Sequence, residues 1–289
     1  MEKSCLYCRN TNIIKRGKRI TKNRGLIQRY SCKDCKRRFT LNDGFYKMRN
    51  TPEKITEALN LYFSGVSLRK TQEHLGVFYN HNCSYVTILK WIRKYCNQIK
   101  DYTEKLKLNT SEQIQVDEME FKTKGKKSWF IDVIDANTRF MLASGYFKNR
   151  GKKEITEILK SVREKSQDNI KEVYTDGWLV YPYVLRKIFG LNKIEGKSKI
   201  KHFQNIGSEG RFNHKIERLH NSIRERTKIF RNFKRLESAK AIMNGYEIYY
   251  NFIRKHQAIG CCPYELALPY LKLKNKNKWL DLIRLSQNH

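Results

Sequence analysis

Ile114-Gln115-Val116-Asp117-Glu118-Met119-Glu120-Phe121 alternates apolar and polar side chains, the period-two pattern of a strand with one face in a core. A turn bearing Lys and Gly, Lys122 to Lys127, leads into Trp129-Phe130-Ile131-Asp132-Val133-Ile134. Asp135-Ala136-Asn137-Thr138 then turns the chain into Arg139 to Phe147. Three consecutive strands on short turns predict an antiparallel meander. Beyond it the period lengthens: Gly151 to Ser166 sets Ile155, Ile158, Leu159 and Val162 on one helical face. Glu172 to Asp176 reads as a short strand, Tyr181 to Phe189 as a helix and Lys199 to Phe203 as a last strand. Asn213 to Arg226 and Leu236 to Arg254 read as helices. The whole predicts an α/β fold, a mixed sheet with flanking helices.

Upstream lie two smaller patterns. Cys5 and Cys8 form one C-x-x-C pair and Cys32 and Cys35 another, with 23 residues between the pairs. Paired thiolates at this spacing suit one tetrahedral, structural Zn²⁺, which replaces a core that so short a segment cannot build; a redox dithiol is the alternative. Residues 1–50 carry 15 Lys and Arg against 3 Asp and Glu. Lys15, Arg16, Lys18 and Arg19 read as a basic hairpin tip suited to phosphates. Residues 51–100 then read as helix (Ile55, Ala58, Leu59, Tyr62, Phe63), glycine turn at Gly65, short helix ended by Gly76, and a longer basic helix. That last helix carries Lys90, Arg93 and Lys94. This is helix-turn-helix organisation, with a small linking bundle as the alternative.

Composition narrows the partner. The 289 residues carry 60 Lys and Arg against 28 Asp and Glu, a formal +32. Self-repulsion of that size favours a polyanion, and nucleic acid is the obvious one. Hydrophobic residues at 39% support a real core. No apolar run approaches the roughly 18 residues of a membrane span, and no signal peptide is evident. We therefore expect an intracellular, soluble protein with no membrane partner.

In so basic a chain three carboxylates stand in distinctive settings: Asp117 in a strand, Asp176 at a strand end before Gly177, and Glu217 in the helix Asn213-His214-Lys215-Ile216-Glu217-Arg218. They are 59 and 41 residues apart in sequence, so only the fold can unite them. Asn213, Glu217, His220 and Arg224 follow at three- and four-residue steps and form one polar helix stripe. Hard oxygen ligands of this kind hold two Mg²⁺ (or Mn²⁺) ions against a phosphodiester, activating a hydroxyl and stabilising the leaving oxygen. Glu118 and Glu120 alternate to the strand face opposite Asp117 and rank below it, as does Glu209 below Glu217. Asp132 and Asp135 are assigned to structure. Trp178 is a candidate stacking platform, and His220 a candidate to orient Glu217 or a phosphate.

These residues carry a family resemblance. Val116-Asp117-Glu118, Tyr174-Thr175-Asp176-Gly177 with Tyr181, and Asn213-x-x-Ile216-Glu217-Arg218-Leu219-His220-x-x-Ile223-Arg224-x-Arg226 resemble three motifs of the DDE transposases of prokaryotic insertion sequences, relatives of retroviral integrases with a ribonuclease-H-like core. Tyr249-Tyr250-Asn251-Phe252-x-Arg254-x-His256 and Pro263-x-Glu265-x-Ala267 resemble the family's tail. The resemblance implies Asp117, Asp176 and Glu217 as the catalytic, metal-binding triad, and Arg218, Arg224 and Arg226 as DNA contacts near the cut. It implies strand cleavage and strand transfer, terminal-repeat and target DNA as partners, a homodimer or higher homo-oligomer, and a cytoplasmic, nucleoid-associated site of action. The interval between Asp176 and Glu217 is longer than is usual in the family, so an insertion is expected near Lys193 to Gly210. Cys261-Cys262 stands where Thr often precedes the proline.

The expected organisation is thus a zinc-ribbon-like DNA-binding unit (1–48), a helix-turn-helix (49–100), a linker (101–111), a ribonuclease-H-like catalytic core (112–270) and a basic C-terminal tail (271–289). A zinc-dependent DNA-binding regulator derived from a transposase and a ribonuclease-H-type nuclease are the competing functions.

Overall fold

Local signals at the N-terminus make a small sheet. In the computed structural model, which describes residues 4–21, 25–46, 48–80, 83–191, 198–205, 213–228 and 233–288, β1 (Ile13–Thr21) pairs antiparallel with β2 (Gly25–Cys32). β3 (Arg38–Phe39) adds to the other edge of β2. Among the described residues its buried core is Cys5, Tyr30, Cys32 and Phe39, with Ile13, Cys35 and Leu41 packed against them. The basic stretch expected at the hairpin tip lies inside β1 instead. There the register shifts between Lys15 and Lys18, and Gly17 takes φ 67. One extra residue is absorbed as a bulge with glycine in the left-handed region, and the residues that join β1 to β2 lie outside the described ones.

Three capped helices follow: α1 (Pro52–Phe63), α2 (Leu68–Tyr79) and α3 (Tyr85–Thr103). Thr51, Ser67 and Ser84 each accept the backbone N–H three residues on, as favoured N-cap residues do. Gly76 does not end α2; the helix runs on to Tyr79 and stops at left-handed Asn80, φ 46. An interior glycine costs only about 1 kcal/mol, so the helix passes through it although Val77, Phe78 and Tyr79 beyond it are exposed. α3 also outruns the expected boundary at 100.

The mixed sheet has the order β6-β5-β4-β7-β8. β4 (Gln113–Thr123), β5 (Lys126–Asp135) and β6 (Met141–Phe147) form the meander. β7 (Glu172–Asp176) and β8 (Lys201–Asn205) run parallel to β4. Helix α4 (Lys152–Ser166) links β6 to β7, and α5 (Val180–Phe189) follows β7 and packs on α4. α6 (His214–Thr227) lies against β4 and β5, and α7 (Leu236–Ile248) against β6 and α3. Tyr249–Ile253 extends α7 as a π-helical turn, followed by α8 (Pro263–Ala267) and α9 (Lys278–Leu285).

The helical unit and the sheet unit share one hydrophobic cluster, from Phe45 to Ile283. The stretch 101–111 is no free linker: Leu108 and Thr110 are buried, and the Asn109 N–H donates to Ala267 O at 2.8 Å. Gly245 marks the close approach of α7 to α1 and α3, because a Cβ there would stand 2.1 Å from Phe63 and 2.6 Å from Cys96. A buried ion cluster crosses the same seam. Lys100 Nζ lies 2.6 Å from Glu247, Ser144 Oγ donates to Glu247 at 2.5 Å, and Glu104 joins Lys100 and Lys165. The C-terminus is likewise not a loose basic tail. Trp279, Leu282 and Ile283 recur at helical spacing, are buried, and Trp279 stacks on Phe63 at 5.6 Å.

Candidate active site

Parallel pairing of β4 with β7 ends at Gln115 and Tyr174. Two residues further in that register stand Asp117 and Asp176, where the two strands part. The carboxylates of Asp117, Glu118 and Asp176 all come within 4.8 Å of one another there. Glu118 was ranked below Asp117 because alternation turns it to the other face. It does start from that face, but at the parting of the strands both faces open on one space. Asp117 also bends back to accept the Glu118 N–H at 2.8 Å.

Each carboxylate has its own surroundings. Asp117 faces α6: its Oδ2 is 3.4 Å from His220 Nδ1, and His220 Nε2 is 2.7 Å from Asp132 Oδ1. Asp132, opposite Asp117 in the β4–β5 register, is fully buried. Burial alone would lower the His220 value, but the Asp132 and Asp117 carboxylates outweigh it and raise it. Asp135, by contrast, accepts N–H groups of Ser111, Asn137 and Thr138 and builds its turn. Burial raises Asp117 to about 6, against the pull of His220. Burial raises Glu118 to about 7, against the pull of Arg150 and with repulsion from Asp176 and Asp117. Asp176, the most open of the three, accepts the Trp178 N–H at 3.0 Å.

This donor set fits a hard divalent cation. Three carboxylates share one space, two of them hold their protons more tightly than usual, and the buried Glu118 Oε1 has no hydrogen-bond partner among the described residues. A +2 charge relieves both the repulsion and the unmet acceptor.

Glu217 is not in that group. It is exposed on α6, which Gln115 Oε1 anchors by accepting the Ile216 N–H at 3.0 Å. It lies one turn before His220, hence on the side of α6 that turns to Asp117. Glu209 falls outside the described residues, as does most of the expected insertion.

The expected DNA contacts divide. Lys15, Arg16, Lys18, Arg19, Lys90, Lys94 and Arg224 are exposed. Arg93 donates to Ser238 Oγ at 2.7 Å. Arg226 is buried and stacks on Tyr62 at 4.1 Å, because its place on α6 faces α1; it is not open to DNA. Arg218 lines an open groove of about 490 Å³ with Arg139, Lys215, Arg254 and Lys255, and no acidic side chain lines it among the described residues. Sequence reasoning missed Arg139, Lys215 and Lys255 in this role, since no local period marks them. It also missed Arg150, one of several basic residues around the start of α4.

The second metal-type cluster lies in the N-terminal sheet. All four Sγ atoms of Cys5, Cys8, Cys32 and Cys35 come within 4.8 Å of one another, with Cys5–Cys35 at 3.6 Å and Cys8–Cys32 at 3.5 Å. Tetrahedral Zn–S bonds of about 2.3 Å imply sulfur separations near 3.8 Å, so the four thiols fit that ion.

The chain resembles the HTLV-2 integrase catalytic core domain solved in complex with magnesium. Identity is 14% over 56% of this chain and 99% of that one (TM-score 0.39) for the trimeric form, and 13% over 56% and 97% (0.37) for the dimeric form. It also resembles the simian T-cell lymphotropic virus intasome in complex with the PP2A regulatory subunit B56 gamma, at 11% identity over 73% of each chain and TM-score 0.41. No curated protein matched. The assignment rests on sequence: residues 111–257, just over half of the chain and containing Asp117, Asp176 and Glu217, match a family model described as a DDE domain of IS240-type transposases. The chain belongs to the DDE transposase family.

Proposed function

We propose that this transposase binds the ends of its element through the thiol-bearing unit and the three-helix unit, and cuts and joins DNA at the Asp117–Asp176 site. Metal-dependent DNA cleavage and strand transfer are the chemistry of the family. The observation that carries the site assignment is the convergence of Asp117 and Asp176 where β4 and β7 part, inside the matched domain.

Asp117, Asp176 and, from α6, Glu217 would hold the magnesium ions, with Glu118 beside them. Bound there, divalent cations supply a more acidic hydroxyl nucleophile and charge stabilisation for the departing oxygen. The remaining work falls to the chain. His220 and the Glu118 N–H hold Asp117 in one orientation, and Asp132 holds His220. The Trp178 N–H fixes Asp176. The groove of Arg139, Lys215, Arg218, Arg254 and Lys255 offers phosphate contacts on the other flank of α6. Phosphate contacts there would keep the duplex in line with the site. One Zn²⁺ held by Cys5, Cys8, Cys32 and Cys35 would stabilise the small sheet that displays Lys15, Arg16, Lys18 and Arg19. Joining two ends favours a homodimer or larger assembly on DNA.

The test is Asp117→Asn, assayed for strand transfer with duplexes carrying the element's own termini. Expected is a loss of at least about a thousandfold with end binding unchanged. Strand transfer at the unaltered rate would sink the assignment.

A further inference from the structure

Arg150 follows β6 and reaches the mouth of the acidic cluster. Its Nε is 3.4 Å from Glu118 Oε1, and its Nη2 is 3.5 Å from Asp176 Oδ2. Its guanidinium carbon lies 4.0 Å from the ring centroid of Trp178 and 5.1 Å from that of Trp129. The Glu118 side chain is 1% exposed and that of Arg150 26%. Neither Arg150 Nε nor Glu118 Oε1 has a hydrogen-bond partner among the described residues.

These contacts describe a cation that is held but not committed. At 3.4–3.5 Å the carboxylates attract the guanidinium without the short, aligned bonds of a fixed ion pair. Two indole faces hold a cation while leaving its direction free. The cation can leave the carboxylates only by moving. A divalent cation on Glu118 or Asp176 would repel it at close range. Its planar fork also matches the non-bridging oxygens of a phosphodiester.

We propose that Arg150 is the resident counter-cation of Glu118 and Asp176. It yields them to a divalent cation and turns along the Trp129 and Trp178 faces onto the phosphodiester that is being cut. Arg150 is then a further catalytic residue, touching substrate, and its movement couples cation loading to phosphate capture. The inference rests on the reading of Asp117 and Asp176 as cation ligands.

The test uses the full chain without DNA, titrated with Mn²⁺ by calorimetry near pH 8. Arg150→Gln is expected to bind Mn²⁺ about tenfold more tightly, because a competing charge is gone, and Arg150→Lys about as the unaltered protein does. With DNA and Mg²⁺, Arg150→Gln is expected to lose about a hundredfold in strand transfer, and Arg150→Lys less. A readout on the unaltered fold guards against misfolding: Ca²⁺ should change tryptophan emission, and Trp178→Phe should remove most of that change. Mn²⁺ affinity unchanged or weakened in Arg150→Gln overturns the inference, as does a Ca²⁺ titration with no change in emission. Asp117→Asn separates the two readings: if it keeps both Mn²⁺ binding and strand transfer, the underlying site assignment fails whatever Arg150 does.

Discussion

The thiol cluster and the carboxylate cluster each bring metal-type ligands within 4.8 Å, yet they stand on opposite kinds of support. The thiols belong to a three-stranded sheet whose buried core, among the described residues, is four residues, two of them cysteines of the cluster. The carboxylates sit on a five-stranded sheet packed into a cluster that runs from Phe45 to Ile283. In the first, two of the four ligands make up half of the buried core, so an ion there is a folding element. In the second the scaffold stands by itself, and the charged ligands are a local burden that burial makes heavier. A structural site and a catalytic site differ in which of them the fold can do without.

The largest expected effect follows at the first cluster. Chelation at neutral pH, or Cys32→Ser, should unfold the small sheet of β1, β2 and β3 with its cysteine turns while the rest of the chain still melts cooperatively. Zn²⁺ binding in such units is worth on the order of 10 kcal/mol, and proteolysis followed by mass spectrometry would locate the loss. An N-terminal unit that stays protected without metal would contradict the contrast.

Next come the two glutamates that compete for a place beside Asp117 and Asp176. Glu217→Gln should cost strand transfer at least about a thousandfold, and Glu118→Gln about tenfold. A reversed order would move the third ligand from α6 to β4.

Acidity gives a smaller effect with a definite sign. Asp117 at about 6 and Glu118 at about 7 lie above the ordinary 3.8 and 4.5. The native state therefore binds more protons than the unfolded state between roughly pH 4 and 7, and stability falls as pH rises through that window. In chelator-treated protein the fall should be on the order of a few kcal/mol. Denaturant titrations should show Glu118→Gln flattening it and Mg²⁺ reversing it. A stability that rises across the window in the unaltered protein, unchanged by Glu118→Gln, would refute the burden ascribed to these carboxylates.

The smallest effect lies in the basic groove. Arg218→Ala with Arg254→Ala should reduce the slope of log affinity against log salt by roughly 2, one phosphate for each cation. Fluorescence anisotropy with a labelled duplex would measure it. An unchanged slope would place the DNA elsewhere.

Much of this was readable from the chain, for local reasons. The alternation at Ile114–Phe121 and the helical stripe of Ile155, Ile158, Leu159 and Val162 became β4 and α4 within a few residues of their expected ends. The cysteine pairs met as their spacing implied. Misreadings came where a weak local signal was overruled. Gly76 reads as a stop, but an interior glycine costs only about 1 kcal/mol, and α2 runs one more turn with Val77, Phe78 and Tyr79 exposed. The segment after 270 looked like a basic tail because its lysines outnumber Trp279, Leu282 and Ile283, whose burial alone makes it α9. Arg226 belonged to a motif with two other arginines, but the two-residue step from Arg224 turns a side chain by about 200° around a helix, and that step set it against Tyr62.

Periodicity and spacing acted over a few residues, so they specified elements, thiol ligands and the motifs around Asp117, Asp176 and Glu217. Which carboxylates share a space, which arginines stay open to DNA and which cation waits beside Glu118 were decided where β4 and β7 part and α6 lies across them. Those relations join residues tens of positions apart, and their energy comes from packing and from charges brought close in a poorly polarisable interior. Neither quantity exists until the chain has folded.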